Sequence, residues 1–387
     1  VPSPQILING SAIAEGMNKN LIALILVSVL LVSCTSTGQV VKEQESMRIG
    51  VVLPLTGSGS YLGDYMEEGL ELAKDEINGA GGVNGRRVEL VYEDSMGETK
   101  NSITAYQKLT DINDVKIVFA TLSHVTLGIA PFAEEDQVIL MSVGGAAPKI
   151  SEAGDYVFRH NLLPQEETKF IADFMYNELN IREVGLIGVN TESGVSWTES
   201  FVKAFEDAGG EIRLSEFYAR DVKDFRTFLL KAKQADLENI VGVIYPDQLG
   251  FVVKQSSEYD YDFNWFATYS AATPKFLEVA GDSGNGIIYS HFLNTEYPLY
   301  KGYNEKYKAR YHKSSDAFAA LAYDALGIIA SAIEQCPSEQ DTECIKQRLY
   351  ATQDYQGATG KISFDENGDT RKELFIKTIR NGEFVLY

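Results

Sequence analysis

An α/β chain with parallel sheets in doubly wound layers is predicted by three observations. Residues 47–94 read as strand, loop, helix, turn, strand, which is one complete βαβ unit. Strand-like and helix-like segments then alternate almost to the end of the chain. The 387 residues, 44% hydrophobic and 23% charged, suffice for two domains.

The first strand is Met47–Leu53, a β-branched run fit for a buried parallel strand. Pro54, Gly57 and Gly59 break it. Met66, Leu70, Ala73 and Ile77 then recur at helical spacing and give one apolar stripe. Asn78-Gly79 and Gly81-Gly82 stop that helix, Asn84-Gly85 makes a tight turn, and 88–92 is the next strand. Further helices are expected at 102–111, 126–135, 168–179, 196–208, 224–235 and 248–257. Strands are expected at 116–119, 138–142, 156–159, 183–189, 211–218, 239–245, 264–267 and 286–291. Helices at 297–311, 317–335 and 342–350 follow. The tail carries strands at 361–364, 373–379 and 383–386, the last two joined by the hairpin signal Asn381-Gly382.

The formal net charge is −21. A surface that acidic repels phosphate backbones and argues against nucleic acid as a partner. Met17 opens a secretion signal: Lys19 supplies the positive start, residues 21–32 form an apolar run, and Leu31-Val32-Ser33-Cys34 looks like a bacterial lipobox. Cleavage before Cys34 would leave a lipid-modified cysteine, placing the rest of the chain outside the cytoplasm and anchored to the membrane. Residues 1–34 are thus an upstream segment plus lipoprotein signal, and 35–46 a polar tether of at most about 40 Å. Cys336 and Cys344 flank a polar loop between two helical patterns. In an oxidising compartment they are expected to form a disulfide.

The stretch DEINGAGGVNGRRVELVYED, together with the order and glycine punctuation of 47–94, closely resembles the opening of type I solute-binding proteins of ABC importers. The nearest subgroup binds branched-chain amino acids. The resemblance extends from Met47 to about Leu386. It implies two doubly wound, Rossmann-like lobes joined by a three-strand hinge, the periplasmic-binding-protein-like type I fold. Lobe 1 is expected at 47–160 plus 293–352, and lobe 2 at 161–292 plus 353–387. It also implies a monomeric binder rather than an enzyme, partnered by permease and ATPase subunits and needing no cofactor.

Candidate site residues follow from where ligands sit in open α/β sheets, beyond the C-terminal strand ends. In residues 120–151 two such ends feed helix starts, whose free N–H groups and dipoles favour a carboxylate. Ser123 adds a hydroxyl, which in the family grips the ligand carboxylate; capping by Ser123 and Thr126 is the structural alternative. His124 adjoins it as a further anion donor. Gly144, Gly145 and Ala146 resemble the family's second ligand loop, but Ala146 stands where the family usually carries Ser or Thr, leaving backbone groups to bind. Tyr245 matches a tyrosine that packs on the ligand. Tyr269 falls where the amino-acid binders carry an acid for the α-ammonium. An unpaired buried ammonium is costly, so either Asp247 compensates or the ligand has no ammonium group. Trp197 lies where the family often places a closing aromatic; an exposed surface tryptophan is the alternative.

GSGSYLG at 57–63 is one residue too long for a dinucleotide fingerprint, although Glu93 and Asp94 end the following strand. It reads as a cleft-edge loop, with Tyr61 or Leu62 as the contact. His160 and His291 sit near expected crossings as hydrogen-bonding hinge residues. No metal-ligand spacing and no nucleophile elbow is visible. Tyr300, Tyr303, Tyr307 and Tyr311 form a packing face. The function expected is capture of a small carboxylate-bearing ligand, an amino acid or a related acid including aromatic ones. A sensory receptor of the same fold is the second reading, and an exported nicotinamide-dependent enzyme the third.

Overall fold

The computed structural model describes residues 46–57 and 59–387. The expected signal and lipidation at Cys34 lie outside the described residues.

Five parallel strands form the first sheet: β1 (Met47–Leu53), β2 (Val88–Asp94), β3 (Ile117–Ala120), β4 (Ile139–Val143) and β5 (Val157–His160), in the order β2-β1-β3-β4-β5. Because strand side chains alternate in direction, both faces need cover. Ile49, Val51, Ile117 and Phe119 join one core, while Val52, Val118 and Ala120 join the other. The first core is closed by α1 (Ser60–Gly79), α9 (Pro298–Tyr311), the alanine-rich α10 (Ala317–Glu334) and α11 (Thr342–Tyr350). The second is closed by α2 (Thr99–Asp111) and α3 (Ser123–Glu135). Gly69 of α1 lies so close to the Ala319 carbonyl that a Cβ would sit 2.1 Å from it, so the two helices approach backbone to backbone. Tyr300, Tyr303 and Tyr307 are buried in this lobe, and Tyr311 packs beside them.

The second sheet runs β15-β14-β10-β9-β8-β6-β7. Its parallel part is β6 (Glu183–Val189), β7 (Glu211–Tyr218), β8 (Asn239–Val243), β9 (Asn264–Ala267) and β10 (Ile288–His291). β14 (Phe375–Arg380) pairs antiparallel with β10 and turns through Asn381 and Gly382, both at positive φ, into β15 (Glu383–Leu386). Two cores again flank the sheet, one holding Ile187 and Ile240, the other Leu186 and Val241. They are covered by α4 (Pro164–Asp173), α5 (Glu192–Asp207), α6 (Arg226–Gln234), α7 (Pro246–Glu258) and α8 (Pro274–Ala280). The helix expected at 168–179 instead starts at Pro164 and ends in a π turn at Phe174–Glu178.

The chain passes between the sheets three times, after β5, after β10 and before β14. One expectation needs correcting. The sequence places residues from 353 on in the second lobe, yet Ala358, Ile362 and Phe364 are buried in the first lobe's core. They belong to a small sheet of β11 (Tyr355–Gly357), β12 (Gly360–Phe364) and β13 (Thr370–Arg371). Fully buried Arg159 fixes that sheet, its guanidinium donating to Asp369 at 2.7 Å and to the Ala147 carbonyl at 2.8 Å. The third crossing therefore falls near 372–374. Cys336 and Cys344 pair as a disulfide, with Cα atoms 5.9 Å apart.

Candidate ligand-binding site

A cavity of about 310 Å³ opens between the C-terminal strand ends of the two sheets. From the first lobe its walls include Tyr61, Leu62, Ser123, Gly144 and Phe318. From the second they include Trp197, Tyr245 and Tyr269. Three helices, α3, α5 and α7, point their first turns at it, since Ser123, Glu192 and Pro246 all line the wall. The positive dipole ends at those turns make the cavity receptive to an anion, although Thr191 Oγ1 already accepts from the Gly194 N–H of α5 and α7 opens on Pro246, which has no N–H.

Ser123 does not cap its helix. Its Oγ accepts from the Ala146 and Ala147 N–H groups, both at 3.0 Å, and so ties the two loops of the first lobe together. With both lone-pair directions filled, the hydroxyl proton is left to donate. Thr126 is not a cap either; its hydroxyl meets Ser142 at 3.0 Å in the core. The residue that starts α3 is Leu122, held at φ 65° and lining the cavity. A leucine in that region costs about 1–3 kcal/mol, so the turn is held by what surrounds it. Nothing in the sequence signalled this.

The second loop departs from expectation. Gly144 and Ala146 line the cavity, but the Gly144 N–H donates to the His160 carbonyl at 3.3 Å and the Ala146 N–H is held by Ser123. Those two backbone groups are already engaged. Gly145 is not among the lining residues; a Cβ there would meet Ser142 Oγ at 2.4 Å, so it is pressed into the loop's own support. Ala146 packs in the same apolar cluster as Trp197, Phe201 and Val243 of the second lobe. A small apolar residue suits that contact.

His124 stands at the wall, yet its Nε2 donates to the Gly97 carbonyl at 2.9 Å, so that N–H serves the loop rather than an anion. His160 and His291 are buried at the crossings. His291 Nδ1 accepts from the Leu293 N–H at 2.7 Å, whereas neither ring nitrogen of His160 has a protein partner. Burial holds both imidazoles well below their usual pKa.

Trp197 is 5% exposed and its ring meets Tyr269 edge-on at 5.7 Å. Tyr269 reaches Phe318 of the first lobe at 6.1 Å. Burial raises the hydroxyl pKa of Tyr61 and Tyr269, so both remain neutral donors at any physiological pH. Tyr245 lies under the Arg220 guanidinium, 4.2 Å from its ring centre, and Arg220 in turn holds Asp247 at 2.9 Å. Asp247 is thereby committed to a protein cation. Asp94 is committed as well: it accepts from the Leu55, Thr56 and Met96 N–H groups at 2.8–3.3 Å, fixing the loop ahead of Tyr61. Glu93 pairs with Lys108 at 2.6 Å. The acids that a dinucleotide ribose would need are spent on structure.

Glu167 carries no signal in the sequence that marks it as part of the site. It is fully buried in the first turn of α4, and its Oε1 accepts from the Tyr269 N–H at 2.8 Å and from the Ser290 hydroxyl at 2.6 Å. Burial pushes its carboxyl up to about 8. Among the described residues no group of three or more His, Cys, Asp or Glu could hold a metal ion.

The family model for periplasmic binding proteins matches residues 46–383. The chain belongs to the periplasmic binding protein family. Its relatives include the leucine-, isoleucine-, valine-, threonine- and alanine-binding protein of Pseudomonas aeruginosa, 24% identical over 345 residues, 89% of this chain and 90% of that protein. Another is Leu/Ile/Val-binding protein homolog 3 of Brucella melitensis, 24% identical and covering 84% of this chain and 89% of its own. Among solved structures, the leucine-binding protein LivK of Thermotoga maritima superposes with a TM-score of 0.80 at 27% identity, over 88% of this chain and 97% of that one. LivJ of Streptococcus pneumoniae, solved with isoleucine, gives 0.81 at 26%, over 88% and 98%. This periplasmic binding protein is accordingly a solute binder of two lobes and not an enzyme.

Proposed function

We propose that the protein is an extracytoplasmic, lipid-anchored receptor that captures a small carboxylate-bearing solute by hinged lobe closure and delivers it to the permease and ATPase of an ABC importer. One observation carries the reading: three helix starts from both lobes meet at a single cavity beside Ser123, with aromatic rings opposite. The carboxylate end of a ligand sits at Ser123 and the helix starts. Its apolar end lies among Trp197, Tyr245 and Tyr269. An amino acid is favoured by the names of the relatives; the aromatic wall suits aromatic acids equally.

The first lobe takes the carboxylate, and the second swings in with its tyrosines and tryptophan. Closure follows from the ligand's greater affinity for the closed form. No bond is made or broken, and ATP is used by other subunits. Cys34 supplies the anchor through its lipid, the Cys336–Cys344 bridge belongs to the exported, oxidised chain, and the protein acts as a monomer.

Native mass spectrometry of the gently purified protein, followed by calorimetry with amino acids and aromatic acids, tests this. A retained or titratable small acid is expected. A protein that takes up none of them ends the importer reading.

A further inference from the structure

Glu167 is an acid with no solvent contact, placed where three separate parts of the chain meet. It stands one turn beyond the first crossing, which delivers the chain to Pro164. Its Oε1 takes the Ser290 hydroxyl from β10, two residues before the second crossing begins. The same oxygen takes the N–H of Tyr269, whose ring lines the cavity and touches Phe318 of the opposite lobe. Asn161, in the first crossing, lies beside the Tyr269 hydroxyl. The cavity wall at Tyr269 is thus tied, through one carboxyl oxygen, to the two elements that border the first and second crossings. The other oxygen, Oε2, is buried with no protein partner.

A buried carboxyl without an ionic partner is expensive, more so with one oxygen unpartnered. A helix packed on a sheet needs only an apolar residue there, and the neighbouring α4 positions Thr168, Ile171 and Ala172 are buried without any acid. We propose that Glu167 is a positioning residue for ligand capture: it fixes the Tyr269 backbone to β10, so that contact with the solute is transmitted to the lobe crossings. This deepens the reading given above and rests on it.

The test uses glutamine and aspartate at position 167. Glutamine keeps an acceptor oxygen at the same reach and matches a protonated carboxyl in shape. Aspartate keeps the acid but withdraws it by one methylene, so it cannot serve Tyr269 and Ser290 together. Trp197 reports directly, its ring being 5.7 Å from Tyr269, in a Trp265→Phe background that leaves it as the single tryptophan. The probes are L-isoleucine and benzoate, titrated by calorimetry, with circular dichroism to verify folding. Glu167→Gln should stay within about twofold of wild type in affinity and leave Trp197 emission unchanged. Glu167→Asp should lose about tenfold or more and shift the emission. Equal behaviour of Glu167→Asp and wild type, or equal damage by both variants, overturns the proposal. Should Glu167→Asp fail to fold, Ser290→Ala replaces it: a loss of about threefold with altered emission is expected, and no change in either overturns the proposal. If wild type takes neither probe, the importer reading loses its support, while Trp197 emission still decides the role of Glu167.

Discussion

Lys149 Nζ lies 2.8 Å from Glu192 Oε1, and the two residues come from opposite lobes. Lys149 follows β4 in the turn Pro148–Glu152, and Glu192 opens α5 after β6. Glu192 lines the cavity. The pair therefore links the two lobes beside the cavity, and separating the lobes would break it.

Breaking this pair should loosen the closed form slightly. Both side chains are largely exposed, at 73% and 50%, so water and salt weaken the attraction. Glu192→Gln is expected to raise the ligand dissociation rate by no more than a few-fold. The effect should vanish in about 1 M salt, where screening acts within about 3 Å. Stopped-flow tryptophan fluorescence at low and high salt measures it. A loss that is unchanged by salt would assign Glu192 a direct ligand contact instead.

Ser123 should matter far more. Its oxygen accepts two backbone N–H groups, which leaves its proton to donate, and the residue lines the cavity. Ser123→Ala strands the Ala146 and Ala147 donors and removes the hydroxyl proposed to hold the ligand's carboxylate. The stranded donors cost folding stability, about 1–3 kcal/mol, whereas the lost hydrogen bond to a charged carboxylate, worth about 1.5–3 kcal/mol, should lower affinity about tenfold to a hundredfold, read by calorimetry. Thr at the same position keeps the oxygen and should recover most of that loss.

How far the sequence announced this site depends on the kind of feature. The βαβ order and the strand ends were legible because hydrophobic period and glycine breaks are local. Ser123, Tyr245 and Tyr269 follow strands, and the structure gathers them at one cavity. Glu167 was not legible: an acid in a helix's first turn normally faces solvent, and its partners are 102 and 123 residues away. The positive φ of Leu122 is likewise invisible in a residue that so rarely adopts it. The lobe to which the small sheet at 355–371 belongs is not legible either, because Arg159 and Asp369, which fix it, lie 210 residues apart.

The Cys336–Cys344 bridge closes a short loop of sequence separation 8. For so short a loop the chain-entropy model gives about 2–3 kcal/mol. Replacing both cysteines by serine should lower unfolding stability by that amount, measured in urea, and leave ligand affinity unchanged because the loop joins α10 to α11 in the first lobe. A thiol titration of the unfolded, unreduced chain should find neither sulfur free; two free thiols would refute the bridge.

Stability should depend on pH through two buried groups of opposite sign. Burial raises the Glu167 carboxyl from about 4.5 to about 8. Its folded state holds a proton that the unfolded chain has released, so its stabilisation is complete below the unfolded value and is lost as pH rises through 8. Burial lowers the Lys372 ammonium from 10.5 to about 7. Here the unfolded chain holds the extra proton, so the penalty is full below 7 and is relieved between 7 and 10.5. One group contributes a slope of at most about 1.4 kcal/mol per pH unit. Urea unfolding from pH 5 to 10 should show Glu167→Gln gaining on wild type between 5 and 8 and running parallel above it. Lys372→Met should gain most below pH 7 and lose that advantage toward 10. A constant offset for either variant across the range would mean that its group titrates alike in the folded and unfolded chains, and that burial is not what governs it.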